Sequence, residues 1–377
     1  MRRACLKSLL LALAAATGAC SVNSGKGQTS AAPPAAQGSK KMDITPYKLE
    51  DDAFWASSDR GSDAMATQLV GEYRGLLVDA PKRIAIDQRQ TFPAAVYHLG
   101  RIRDLSSVPY KRFGILTAMN VTENRLYAAS SQAFDEDTDP VDGPPRDPST
   151  IPEGDMSATQ SLELRGVLQT PWQPSQYLLT AILRDQVSNR APVELCQSPS
   201  CYVDPEVVKY QAAERAKINP PASEPQPGNP LTSYRKMPDS LAIPAAAGIE
   251  LASARLVDSR RDQPWTVQGS FRLTPTPQEL VKPGWSDPYY SQRAPDGKPV
   301  AVITIWLLLA GANDGSLYLF PLRVPAWSKA GAAMTGYFQF DLRQMRGAPV
   351  NAQTYFLYAF SGDSMAGPMQ AALVGSK

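Results

Sequence analysis

The run Ala301-Val-Ile-Thr-Ile-Trp-Leu-Leu-Leu-Ala310, then Asn313-Asp314-Gly315-Ser316, then Leu317-Tyr-Leu-Phe320, decides the fold of this chain. Its first part is β-branched and aromatic, and side chains of that kind fit a pleated surface. It is also apolar without alternation, so the strand it predicts is buried on both faces. The middle part supplies residues that tolerate positive φ, and the last part returns the chain. The expected element is a β-hairpin.

Working outward, Gly336-Tyr-Phe-Gln-Phe-Asp341 alternates, Pro349 marks a turn, Gln353-Thr-Tyr-Phe-Leu-Tyr-Ala-Phe360 follows, and 370–374 is a short apolar strand. With 248–251 and 265–273, this half holds about seven short strands separated by turn signals. The first half repeats the order. There Ser161-Leu-Glu-Leu-Arg165 alternates, Pro171 and Pro174 mark a turn, and Gln176-Tyr-Leu-Leu-Thr-Ala-Ile-Leu183 and 191–195 follow. Upstream, 113–129 corresponds loosely to 300–322. Four matches in one order predict an internal duplication. The fold class is therefore mainly β: two tandem β-sandwich domains of immunoglobulin-like or Greek-key type, with one or two short helices. Asp204-Pro205 opens one helix to about residue 217, and a second is expected within 51–73. Tyr177 and Tyr355, each opening a late strand after a proline turn, resemble the tyrosine corner of immunoglobulin-like folds.

Segment 219–233 carries five prolines in fifteen residues, which excludes helix and removes sheet donors. It is the expected linker between domains at 46–218 and 234–377. Residues 20–45 are rich in Ser, Gly, Ala, Gln and Pro and read as a flexible tether.

The amino terminus has a basic segment at Arg2, Arg3 and Lys7, an apolar run over 9–16, and the small-residue site Thr17-Gly18-Ala19 before Cys20. The run is too short for a spanning helix and has the layout of an export leader. Thr17-Gly18-Ala19-Cys20 resembles the lipobox of bacterial lipoproteins, although that pattern usually has Leu where this chain has Thr17. The resemblance implies a leader at 1–19, a diacylglycerol on Cys20 and attachment to a membrane through that lipid. Ser21 implies outer-membrane placement, since aspartate there favours inner-membrane retention in typical enteric lipoproteins. An ordinary secretory leader cut nearby is the alternative.

Cleavage would remove three cations, leaving 35 basic against 36 acidic residues. That balance gives no electrostatic footprint for nucleic acid. In an oxidising compartment Cys196 and Cys201, separated by Gln-Ser-Pro-Ser, are expected to form a local disulfide. A metal site needs more ligands than these two and the single histidine provide.

His98, within Ala95-Val-Tyr-His-Leu-Gly100, is the only imidazole and reads as structural, near a strand end. Gly362-Asp363-Ser364 resembles the serine motif of the GDSL esterases and trypsin-like proteases, but neither context surrounds it. It reads as the turn between the last two strands. The acidic stretch 135–143 has alternating carboxylates, with Pro140 and Arg146 departing from the helix-loop-helix calcium pattern. Trp285, Tyr289 and Tyr290 sit among turn residues in 283–297 and could bind a partner's pocket or a sugar, or fold back over one end of a sandwich. Trp172 and Trp327, beside prolines, carry the same two readings. No cofactor motif is present. The expectation is a non-catalytic binding, structural or accessory module of the cell envelope with a protein or glycan partner. An envelope hydrolase using Ser364 or unplaced carboxylates is the competing class.

Overall fold

The hairpin forms as its sequence predicts. In the computed structural model, strand Ala301–Gly311 pairs antiparallel with Leu317–Ala326, from Ala301 opposite Ala326 to Ala310 opposite Leu317, and Gly315 turns the chain at φ 65°. The structure describes residues 49–69, 73–107, 110, 114–134, 152–197, 232–234, 241–258, 263–280, 300–326 and 328–375. Outside them lie the expected leader, tether, acidic stretch, helix at 205–217, aromatic loop at 283–297, Trp327, Cys201 and most of the linker; Thr232 and Ser233, placed in that linker, begin a strand.

The first half contributes β1 (Gly75–Asp79), β2 (Arg83–Ala85), β3 (Pro93–Arg101), β4 (Ile115–Asn120), β5 (Arg125–Ser130), β6 (Asp155–Glu163), β7 (Ser175–Leu183), β8 (Gln186–Val187) and β9 (Ala191–Cys196). Its helices are α1 (Asp52–Ser57), α2 (Asp63–Leu69), α3 (Ile102–Ser107) and α4 (Leu164–Leu168). The second half contributes β10 (Thr232–Tyr234), β11 (Gly248–Ser253), β12 (Leu256–Asp258), β13 (Thr266–Leu273), β14 (Ala301–Gly311), β15 (Leu317–Ala326), β16 (Ser328–Ala330), β17 (Ala333–Asp341), β18 (Thr354–Ser361) and β19 (Ser364–Val374). The structure is mainly β, in two tandem sandwiches.

Each half has an outer and an inner sheet. The outer sheets run β1-β3-β6 and β11-β13-β17, the latter extended by β10 and β16; the inner sheets run β2-β9-β7-β4-β5 and β12-β19-β18-β14-β15. Even the parallel edge pairs correspond, β2 with β9 and β12 with β19. The repeated order read from sequence is thus a repeated topology.

Side-chain alternation explains the layers. On β14, Ile303, Ile305, Leu307 and Leu309 join the core between the second half's two sheets, while Leu308 and Ala310 join a different cluster that includes Ile115, Met119 and Ile182 of the first half's inner sheet. Likewise, Ala94 and Val96 of β3 face their own inner sheet, whereas Ala95, Tyr97 and Leu99 face α1 and α2. The layers therefore run helices, outer sheet, inner sheet, inner sheet, outer sheet. In the last of these, Gly269 lies opposite Phe338 and Gly336 opposite Phe271; a Cβ added at either glycine would fall within 2.6 Å of the facing ring. Each ring lies over a site only glycine leaves open.

One corner is built twice. Glu163 Oε1 accepts from the backbone N of Phe92 at 2.7 Å, and Asp341 Oδ1 accepts from that of Trp265 at 2.8 Å. The next residue, Leu164 or Leu342, donates its N–H back to the same partner's carbonyl at 2.9 Å. Arg165 and Arg343 then reach the carbonyls of Gln90 and Gln263. Phe92 packs on Tyr177 and Trp265 on Tyr355, with ring centroids 5.9 and 5.6 Å apart. Leu164 and Arg165, expected to extend a strand, instead start α4, because the Glu163 carboxylate caps the N–H groups of Arg165 and Gly166. Tyr355 makes the bond of a tyrosine corner, its hydroxyl donating to the Asn351 carbonyl at 3.0 Å.

Glu163→Ala and Asp341→Ala should each destabilise the protein by about 1–3 kcal/mol, since each strips the acceptor from three backbone donors, or two at Asp341. Lying in different halves, the two losses should add. Urea denaturation of the single and double variants measures this.

Candidate functional site

The inner sheets meet face to face across a seam. Leu178 and Ile182 on β7, with Ile115 and Met119 on β4, pack against Leu308, Phe356, Tyr358 and Phe360. Thr117 and Thr180, on the same face by alternation, are 1% exposed, and the Thr117 hydroxyl donates to the Thr180 carbonyl at 3.1 Å. The Thr117 hydroxyl is satisfied within its own sheet, which lets an apolar neighbour cover it.

Asn124, in the turn between β4 and β5 at φ 50°, fastens one end. Its two amide N–H groups donate to Glu279 Oε1 at 2.8 Å and to the Thr304 carbonyl at 2.9 Å, and Ser361 Oγ, which donates to that same carbonyl, lies 3.1 Å from the amide nitrogen. Its carbonyl oxygen accepts from the Gly362 N–H at 2.8 Å, and its backbone oxygen accepts from Trp306 Nε1 at 2.8 Å. Glu279 is held in turn by the N–H groups of Thr304 and Thr276. An asparagine 5% exposed is thus fully occupied, and all of these partners lie in the other half.

The opposite end mirrors this. Arg184, in the turn after β7, has φ 54°, the value Gly362 takes in the turn after β18. Arg184 Nε donates to the Ala312 carbonyl at 3.2 Å, and the Tyr358 hydroxyl donates to the Arg184 carbonyl. The β4–β5 turn therefore docks near the β18–β19 turn, and the β14–β15 turn docks near the β7–β8 turn. Equivalent elements contact each other reciprocally, as across the two-fold axis of an isologous dimer. Arg190 adds a bond from Nη1 to the Asp363 carbonyl; burial lowers its pKa against the pull of the Asp363 charge.

Among the described residues, those singled out by sequence are scattered. Gly362-Asp363-Ser364 is the turn expected, joining β18 to β19, and its Gly362 N–H is the Asn124 anchor. Ser364 is 8% exposed, with Oγ 3.4 Å from Asp363 Oδ1. His98 lies in β3 of the other half, buried, and burial pushes its pKa down to about 4 against the opposing charge of Asp104. The structure does not bring the two together. Cys196 ends β9 with its side chain buried, its expected partner outside the described residues. Trp172 is half-buried; its Nε1 donates to the Ile86 carbonyl at 3.1 Å and the Arg165 guanidinium lies 4.6 Å from its ring, so it folds back on the protein. Among the described residues no group of three or more His, Cys, Asp or Glu could hold a metal ion, and no helix is long and apolar enough to cross a membrane.

Sequence reasoning missed Asn124 and Arg184. The available signal was the alternation of β4 and β7, apolar at Ile115, Met119, Leu178 and Ile182 as well as at Leu116, Ala118, Leu179 and Ala181. Two apolar faces demand two covers.

No protein-family model and no curated protein matches the chain. Among solved structures it is aligned with a bacterial adhesin from Mobiluncus mulieris containing intramolecular disulfide, isopeptide and ester bond cross-links. In one crystal form the identity is 9%, with 76% of this chain and 79% of that chain covered and a TM-score of 0.12; in a second the figures are 8%, 76%, 81% and 0.12. A TM-score of 0.12 supports no inference about fold or function.

Asn124→Ala should cost roughly 2–4 kcal/mol, because several buried partners lose their bonds together. Ser364→Ala should stay within about 1 kcal/mol. Thermal and denaturant unfolding of the two variants checks the contrast. Imidazole proton NMR should place the His98 midpoint at about 4; a midpoint at the ordinary histidine value would contradict its burial.

Proposed function

We propose that this chain is a bacterial envelope lipoprotein, held at the outer membrane by acyl chains on Cys20, whose double sandwich serves as a non-catalytic binding or structural module. The observation that carries this reading is the seam. Burial of both inner sheets, with fastenings at both ends, makes a stiff body out of two sandwiches and leaves loops and sheet edges as the surfaces available to a partner. The leader-like segment before Cys20, the tether composition of 20–45 and the sandwich fold support export and display. Trp285, Tyr289 and Tyr290 are the proposed contacts for an envelope protein or glycan. The Cys196–Cys201 disulfide belongs to the same proposal, as a clamp following β9. Such a short loop would contribute about 2 kcal/mol.

The mature protein should begin at Cys20 carrying a thioether-linked diacylglycerol, and Cys20→Ala should move it from the membrane to the soluble periplasmic fraction. Intact-mass spectrometry and fractionation test this. Crosslinking and pull-down from solubilised membranes should recover one envelope protein or glycan, with recovery lost on combined Trp285→Ala, Tyr289→Ala and Tyr290→Ala. Labelling by a serine-reactive phosphonate that disappears in Ser364→Ala would overturn the non-catalytic reading.

A further inference from the structure

Two acidic side chains lie where the amino-terminal layer meets the outer sheet. The Glu50 backbone N donates to Asp79 Oδ2 at 2.9 Å, and Asp79 Oδ1 accepts from the Ala80 N–H at 3.0 Å. The Glu50 carboxylate accepts from the Tyr97 hydroxyl at 2.7 Å and from the Ser62 N–H. Glu50 precedes α1 and Ser62 precedes α2, so this cluster ties the starts of both helices to β1 and β3. Trp55 of α1 is fully buried and faces Asp79, its indole N–H favouring the charged carboxylate. On the remaining side Gly61, whose N–H donates to Ser161 Oγ on β6, lies so close that an added Cβ would be 2.4 Å from Ala95 and 2.9 Å from the Tyr97 hydroxyl.

No Lys, Arg or His side chain among the described residues bonds to either carboxylate. The nearest ion pair on this layer, Arg89 with Asp59, belongs to the loop beyond α1, and Asp52 accepts from the Lys82 backbone N–H at the helix start. Asn189, the polar side chain behind β1, is engaged with both backbone groups of Val78. A buried Asp79, 5% exposed, and a half-buried Glu50 thus sit side by side with no cationic side chain bonded to either among the described residues, an arrangement in which both cannot ionise without loss.

We propose that Glu50 and Asp79 form a proton-operated latch on the amino-terminal helical layer, seated while the pair holds a proton and loosened when both carboxyls ionise. Loosening uncovers the apolar face of β1 and β3 formed by Leu77, Ala95, Tyr97 and Leu99. The electrostatics agree with the geometry. Burial pushes Asp79 up to about 7, aided by the Glu50 charge and opposed by the Ala80 and Glu50 N–H bonds and by the Trp55 indole; burial also raises Glu50, opposed by its bonds from Tyr97 and Ser62. A carboxyl with its folded pKa above the unfolded value of about 4 stabilises the seated form fully below that value, and the contribution is lost as pH rises toward 7. His98, the neighbour of Tyr97 on the opposite face of β3, acts with the opposite sign, losing stability as pH falls.

Hydrogen exchange of the full chain, corrected for intrinsic rates, between pH 5.5 and 8 tests the latch. Protection of amides in 52–69 should fall about tenfold or more over this interval while β4 and β14 hold theirs, a local rather than global opening. Asp79→Asn should flatten the pH dependence, and so should Glu50→Gln, which keeps an acceptor for Tyr97 and covers the case in which Asp79→Asn does not fold. PH-independent protection of the helical layer in the wild type, or an unchanged pH dependence in whichever variant folds, would overturn the proposal. So would a carboxyl carbon NMR titration of the wild type with the Asp79 midpoint below 5.

Discussion

The structure depends on burying two sheets against each other. A sheet with one apolar face needs one cover, and a sandwich supplies it. Here the inner sheets are apolar on both faces, so each sandwich alone would leave Leu308, Phe356, Phe360, Ile115 and Ile182 in water. Among the described residues, the other half covers them. The apolar contact sets proximity without direction, and Asn124 at one end with Arg184 and Tyr358 at the other set the registration, because their bonds reach backbone groups that exist at one place only.

The repeat gives this contact its form. Both halves place a caged acid at the end of an outer strand, an aromatic pair beside it and a positive-φ turn after the strand opening on a buried tyrosine. Because the units are alike, one half's turn meets the other's equivalent turn reciprocally. The halves have diverged at their outer sheets: the first carries Ala95, Tyr97 and Leu99 beneath helices, while the strand of the second in the same place carries Gln268, Ser270 and Arg272 on the corresponding face. Gln268 there bonds to Gln339 across the sheet at 2.7 Å. One core topology thus supports an apolar, lidded exterior and a polar one.

Much of the fold was legible because β-periodicity and turn chemistry are local. The 301–320 hairpin, the strands at 176–183 and 353–360, the Gly362-Asp363 turn and a helical region within 51–73 stand where patterns of two or more residues put them. Leu164 and Arg165 were misread because alternation continues through them, and the deciding interaction is a carboxylate bonded to Phe92, seventy-one residues away in sequence. The seam was legible only in part. The unbroken apolar run of β14 announced two buried faces, yet nothing in one strand says which sheet covers the second. Asn124, Glu50 and Asp79 were silent for the same reason: each is ordinary in sequence until long-range packing buries Asn124 and Asp79 and half-buries Glu50 beside Asp79.

The strand β15 ends its sheet and carries Pro321 and Pro325, opposite Trp306 and Val302. Proline has no N–H to offer, so a further strand laid along this margin would find two rungs missing. Composition thus limits growth of the sheet at this margin, and neighbouring copies find an incomplete template there for fibril-like stacking.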